Sequence, residues 1–192
     1  MNRKPTRVRP QRAWLLLSGG IDSAACLAFY LKQGFPVECL HVSFGQPGFS
    51  HERSAAKRIA LHFSTPLEIL RWSGSMEFQE GEITGRNAFL LMAALTEIGE
   101  NTGLLATGIH AGTSYYDCSE DFLSAMQIVV DGYCDGRVKL ATPFAKWTKQ
   151  QVFAFCKSER VPIDLTYSCE RGTEKPCREC LSCLDRRALD AL

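Results

Sequence analysis

Four cysteines near the C-terminus have the spacing of a metal site. Cys169 is followed after seven residues by Cys177, and then Cys180 and Cys183 arrive at successive CxxC intervals. Three thiolates so spaced wrap one face of an ion and a fourth closes a tetrahedron. The residues between them (Arg178, Glu179, Leu181, Ser182) are polar enough for a tight loop. An iron–sulfur cluster competes for the same pattern, and a disulfide pair is the plain alternative. Zinc is favoured because nothing else in the chain suggests electron transfer. Four thiolates leave no open coordination position, so the expected role is structural.

A second constellation lies near the N-terminus, in Leu15-Leu16-Leu17-Ser18-Gly19-Gly20-Ile21-Asp22-Ser23. Two glycines after a buried strand let the backbone turn sharply and approach an anion. The free N–H groups of the following helix then point at it. Ser18 and Ser23 add hydroxyls, and a carboxylate at Asp22 beside a phosphate makes sense if it holds Mg²⁺. No lysine follows the turn, so it is not a GxxxxGK[ST] loop. The plain alternative is an ordinary strand-to-helix turn with Asp22 favourable to the helix dipole.

Both constellations need a scaffold. Residues 13–17 read as a strand, 22–33 as a helix stopped by Gly34, 37–44 as a strand and 52–63 as a helix. A strand at 67–72, a helix at 86–100 and a strand at 104–107 follow, then a helix at 120–130, a strand at 138–142 and a helix at 148–158 ended by Val161-Pro162. Short apolar strands without two-residue alternation are buried on both faces. The expected architecture is α/β, a five-stranded parallel sheet sandwiched by helices with ligands at the carboxyl ends of the strands. Three parts are expected: a loose polar arm at 1–12, the main domain at 13–165 and a small zinc-bound lobe at 166–192.

The 192 residues suit one domain with an appendage. Lys+Arg of 22 against Asp+Glu of 21 argues against a basic nucleic-acid-binding coat. The longest apolar run, Ala13 to Leu17, is far short of the roughly 20 residues a membrane span needs. The basic start lacks the apolar stretch of a secretory signal. Nine cysteines, an odd number, do not suggest a secreted disulfide framework. A soluble, cytoplasmic protein is expected.

The glycine turn resembles the PP-loop of the ATP pyrophosphatases, the group of asparagine, GMP and NAD synthetases and tRNA thiolation enzymes. The resemblance implies an adenine-nucleotide hydrolase fold whose loop binds the pyrophosphate of ATP. The cysteine segment, Thr166-x-Ser168-Cys169 with Cys177, Cys180, Cys183 and Arg186, is similar to the C-terminus of the QueC family of 7-cyano-7-deazaguanine (preQ0) synthases. Gly45-Gln46 with His51 and Ala55, Gly85-Arg86-Asn87, Gly108 with His110, Tyr116-Asp117-Cys118 with Phe122, and Pro143-Phe144 with Thr148-Lys149 resemble further segments of that family. The matches run from about Leu15 to Arg186.

This resemblance implies an enzyme that takes 7-carboxy-7-deazaguanine, ATP and ammonia. It adenylates the carboxylate, forms the amide, and dehydrates it to the nitrile, with Mg²⁺ at the phosphates and structural zinc. Ser18, Gly19, Gly20, Ile21, Asp22, Ser23 and His51 would hold the nucleotide, with Asp22, Ser23, Arg86 and Lys149 serving catalysis. Arg86 suits a bidentate contact to phosphate or carboxylate, Lys149 a point contact to phosphate, and His51 a phosphate or proton shuttle. Gln46, Asn87, His110, Tyr116 and Asp117 would bind the base, an acid reading its N1–H and amino edge. Phe44, Tyr115 and Tyr116 could stack on a flat heterocycle. The family is commonly homodimeric. The chain departs from the family pattern in a short stretch from Trp72 to Gly85, in Thr84, in Glu170 and in Ala24-Ala25. A trimmed pocket roof suggests two alternatives. One is a paralogue of an anti-phage or DNA-modification system that stops at the amide or conjugates the deazaguanine to a partner protein. The other is a tRNA-modifying PP-loop enzyme. An ATP-binding module without turnover is a further possibility.

Overall fold

A computed structural model of the chain describes residues 11–73 and 83–191. The expected arm at 1–12 therefore lies mostly outside the described residues, as does most of the short stretch between Trp72 and Gly85. The elements run β1 (Arg12–Leu16), α1 (Ile21–Lys32), β2 (Val37–Ser43), α2 (Phe49–His62), β3 (Leu67–Arg71) and α3 (Arg86–Ile98). They continue with β4 (Gly103–Ala106), α4 (Glu120–Cys134), β5 (Val138–Ala141), α5 (Lys149–Ser158) and α6 (Leu181–Asp190). The five strands form one parallel sheet, as expected, and their order is β3-β2-β1-β4-β5.

Two apolar layers hold the sheet. On one face Ala13, Leu15, Leu17 and Cys39 pack against Leu27, Ala56, Ile59 and Phe153 from α1, α2 and α5. On the other, Trp14, Leu40, Leu105 and Val138 pack against Leu91, Ile98, Met126 and Val130 from α3 and α4. Burial from both sides explains why the strands read as near-continuous apolar runs. The chain adds β2 and β3 on one side of β1, then crosses to add β4 and β5 on the other. In such a sheet the loops leaving the two strands at that reversal, here β1 and β4, part and leave a crevice.

Three boundaries differ from the sequence reading. α2 begins at Phe49 rather than Glu52, because Gly48 offers its carbonyl to the N–H groups of both His51 and Glu52 and starts the helix early. α4 runs on to Cys134, where Asp135 in the left-handed region ends it. The segment after Cys180 is a helix, not a tight loop: the Leu184 N–H bonds the Cys180 carbonyl, so the last CxxC pair spans a helix start. Among the described residues no helix is long and apolar enough to cross a membrane.

Candidate active site and metal centre

The glycine turn joins β1 to α1 at the reversal of strand order. Gly19 has φ of 97°, a region L side chains rarely adopt, and lies tight against α2. A methyl group there would stand 2.5 Å from the Glu52 carbonyl oxygen and 3.0 Å from the Ala55 Cβ. Ser23 Oγ donates to the Gly20 carbonyl at 3.0 Å, Ser18 and Ser23 hydroxyls lie 3.1 Å apart, and the Gly20 N–H reaches Ser18 Oγ at 3.3 Å. No side chain caps α1, and its first intrahelical bond runs from Ala24 N–H to Gly20. The N–H groups of Ile21, Asp22 and Ser23 therefore have no intrahelical partner, an arrangement that can bind an anion.

Around that site three expected residues converge. Lys149, the first residue of α5, is bonded to Asp22 Oδ2, and His110 Nε2 stands 3.8 Å from the same oxygen. The Gly112 N–H donates to His110 Nδ1 at 2.9 Å, which leaves the imidazole proton on Nε2, facing Asp22. Burial holds His110 below its usual pKa, with Lys149 adding to this and Asp22 and Asp185 opposing it. Asp22 Oδ1 is buried and has no hydrogen-bond partner among the described residues. A carboxylate oxygen orphaned beside open backbone N–H groups fits a cation such as Mg²⁺.

These groups line a cleft of about 770 Å³ that extends from the turn past the end of β2 and the start of α3 to the C-terminal segment. Gln46, Arg86, Asn87, Phe44 and Tyr115 line it. His51 does not line it: its ring stacks on Tyr167 at 5.0 Å, fastening α2 to the C-terminal segment. Tyr116 is exposed and packs edge-on against Phe122 at 5.8 Å. Asp117 is buried outside the cleft lining and caps α3 from another part of the chain. Its Oδ2 accepts from Asn87 N–H at 3.1 Å, and its carbonyl accepts from the Asn87 side chain at 2.9 Å.

Three cleft features escaped the sequence reading. Glu52 puts a carboxylate into the cleft, pinned at 2.7 Å by Gln46 Nε2. Burial raises its pKa, against the hydrogen bond from Gln46 and the charge of Arg86. Its only sequence signal was its place in the Gly45-Gln46 to Ala55 segment, where it marked the expected start of a helix. His41 is only 1% exposed, with Nδ1 2.9 Å from the Leu17 carbonyl and Nε2 without a partner. Finally, the C-terminal segment is a wall of the cleft through Tyr167, Glu170 and Arg186, and the Tyr167 N–H hooks it to the Gly19 carbonyl at 2.9 Å.

The four expected cysteines come together with all ligand atoms within 4.8 Å of one another. Cys177 and Cys183 Sγ are 3.8 Å apart, the edge of a tetrahedron with Zn–S bonds of about 2.3 Å. None of the cysteines is in a disulfide. The spacing leaves room for one ion and none for several irons between the thiols. Burial opposes ionisation of Cys169, but hydrogen bonds from the Thr173 hydroxyl and from the backbone at Cys177, Thr173 and Arg171 bring its thiol down to about 5. Burial pushes Cys183 up to about 12. A cation among the thiols would resolve that conflict by taking all four as thiolates.

Comparisons with known proteins agree with this arrangement. The family model described as queuosine biosynthesis protein QueC matches residues 12–84 and 73–190. A 7-cyano-7-deazaguanine synthase from Methanospirillum hungatei is 34% identical over 203 residues, covering 90% of this chain and 91% of its own. One from Synechococcus sp. (strain CC9311) is 30% identical over 201 residues, covering 88% and 87%. Among solved structures, a predicted subunit of tRNA methyltransferase from Methanocaldococcus jannaschii superposes with a TM-score of 0.53 at 12% identity, over 77% of this chain and 74% of its own, a likeness of fold. With the family model spanning nearly the whole chain and relatives at 30% and 34% identity along most of it, this chain belongs to the QueC family.

Proposed function

We propose that the cleft binds ATP across the glycine turn and activates the carboxylate of 7-carboxy-7-deazaguanine for attack by ammonia, giving the amide and then 7-cyano-7-deazaguanine. The observation that carries this reading is the joint at the turn: three uncapped N–H groups, Lys149 and His110 on one oxygen of Asp22, and the other oxygen orphaned. In the first step a substrate carboxylate oxygen bonds to the α-phosphorus of ATP and pyrophosphate leaves. Ammonia then adds to the acyl carbon, AMP departs and a proton is lost. The amide oxygen then bonds to the α-phosphorus of a second ATP as pyrophosphate and one N–H proton leave, and loss of AMP and the second N–H proton forms the nitrile.

The chain's residues have defined tasks in this reading. The N–H groups of Ile21, Asp22 and Ser23 and the Lys149 ammonium bind the pyrophosphate portion, where negative charge grows as it leaves. Asp22 would hold Mg²⁺, which supplies charge neutralisation at the phosphates. His110, kept neutral by burial, donates its Nε2 proton toward the same region without adding a fixed charge. Arg86, at the start of α3, faces the substrate carboxylate before activation. The four cysteines would hold zinc that fixes the C-terminal wall and takes no part in the chemistry.

The test is incubation with 7-carboxy-7-deazaguanine, Mg-ATP and ammonium, with AMP, pyrophosphate and the heterocyclic product measured by mass spectrometry. The expected product is the nitrile, and D22N should lower pyrophosphate release by about 10²–10³-fold. A product that stops at the amide, or an adduct formed only with a partner protein present, would replace the end point while keeping the activation. Absence of AMP from every mixture would refute the proposal.

A further inference from the structure

We infer that Glu52, held by Gln46, reads the base: it accepts the ring N–H and exocyclic amino group on the edge of a guanine-like heterocycle lying against the apolar wall of the cleft. This rests on the proposed function, whose substrate carries that edge. The acid expected to do this from sequence, Asp117, is committed to capping α3 and lies outside the cleft lining. Asp22 is bonded to Lys149 at the phosphate end. Asp185 acts on His110, at that same end. Glu52, on α2, has its backbone against the glycine turn, but its carboxylate is tied to Gln46 in the loop after β2.

Its orientation is fixed by a chain of bonds. The Phe44 N–H donates to Gln46 Oε1 at 2.9 Å, so the Gln46 amide can present only its N–H₂ to Glu52, and it does so to Oε2 at 2.7 Å. Oε1 and the second lone pair of Oε2 are left to accept the two donors of a ligand edge. Gly48 leaves Oε1 uncrowded by a side chain, because a Cβ there would stand 3.0 Å from that oxygen and 3.2 Å from the Cys169 carbonyl oxygen. The same bond chain ties the carboxylate to a flat wall. Phe44 lines the cleft and packs edge-on against Phe89 at 5.8 Å, which packs on Trp72 at 5.6 Å. A buried carboxylate beside an apolar wall suits a planar ring with N–H donors along one edge. It suits an ammonium ion less, because the Arg86 guanidinium lies near enough to act on Glu52.

Pyrophosphate exchange into ATP needs no ammonia, so it isolates recognition of the base. Exchange by the full metal-loaded chain is measured with 7-carboxy-7-deazaguanine and with its analogue lacking the 2-amino group. The wild type should favour the amino-bearing substrate by about 10- to 100-fold in kcat/KM, the worth of a hydrogen bond to a charged acceptor. E52Q should remove most of that preference, chiefly by raising KM for the amino-bearing substrate, while E170Q should keep it. Equal use of the two substrates by the wild type would overturn the inference, as would an equal loss on both in E52Q. Loss of the preference in E170Q in place of E52Q, or a change confined to the ammonium KM, would overturn it too. If the wild type shows no exchange at all, the proposed function fails. Calorimetric titration of the two carboxylates into the wild type and E52Q then still reads the preference directly.

Discussion

Replacing Gly19 with alanine isolates the geometry on which nucleotide binding rests. Two costs can be worked from the structure. The φ of 97° is strained for any residue with a Cβ, at about 1–3 kcal/mol. The added methyl would also meet the Glu52 carbonyl oxygen at 2.5 Å and the Ala56 nitrogen at 3.1 Å. Both are backbone atoms of α2, so no side-chain rotation relieves the contact. Overpacking of this kind costs about 1–3 kcal/mol. G19A should therefore lose about 2–6 kcal/mol, a fall in Tm of roughly 4–24 °C for a chain of this size. G20A is the matched control, because its Cβ would meet only Ser18 Oγ at 3.5 Å and the Tyr167 carbonyl at 3.7 Å, ordinary contacts. Urea unfolding gives the stabilities, and calorimetric titration with ATP gives the binding. G19A should be destabilised and bind ATP at least tenfold more weakly, with G20A near wild-type stability. A G19A protein as stable as the wild type, or a G20A protein equally damaged, would refute the account of the turn.

Burial holds His41 and His110 below the usual histidine pKa of 6.5, so protonation favours the unfolded chain. Their contribution is complete above about pH 6.5 and declines as pH falls from there toward the folded-state values, by at most ~1.4 kcal/mol per pH unit for each. Unfolding midpoints measured across that range should fall with acid, and H41Q should flatten the slope; an unchanged slope would count against the assignment. C177S should lose the bound ion, measured as about one zinc per chain in the wild type. It should lose pyrophosphate exchange as well, because Tyr167, Glu170 and Arg186 of that lobe line the cleft; full activity with the site empty would contradict this. D117A should cost about 1–3 kcal/mol through the lost cap on α3. A D117A protein of normal stability that has lost substrate affinity would return Asp117 to the role its sequence context suggested.

The sequence by itself determined the parts whose information is local. Leu15 to Ser23 encodes a buried strand, a glycine turn and a helix start within nine residues, and each step follows from residue type. The CxxC intervals confine three thiols to one small region whatever surrounds them. Alternating apolar runs were enough for the layered parallel sheet. Only the tertiary structure decided which polar residues share a cleft. Lys149 and Asp22 are 127 positions apart and meet because β4 and β5 return beside β1, carrying α5 to the turn. Asp117, expected in the cleft, lies on the end of α3, and Glu52, given no duty by the sequence reading, lies in the cleft, for the same kind of reason. Nothing near Asp117 in sequence shows that its carboxylate lies against the bare end of α3. Nothing near Glu52 shows that α2 starts early enough to turn its carboxylate toward Gln46. A carboxylate has the same chemistry in either place, and its partners, set by long-range packing, decide whether it caps a helix or faces a ligand.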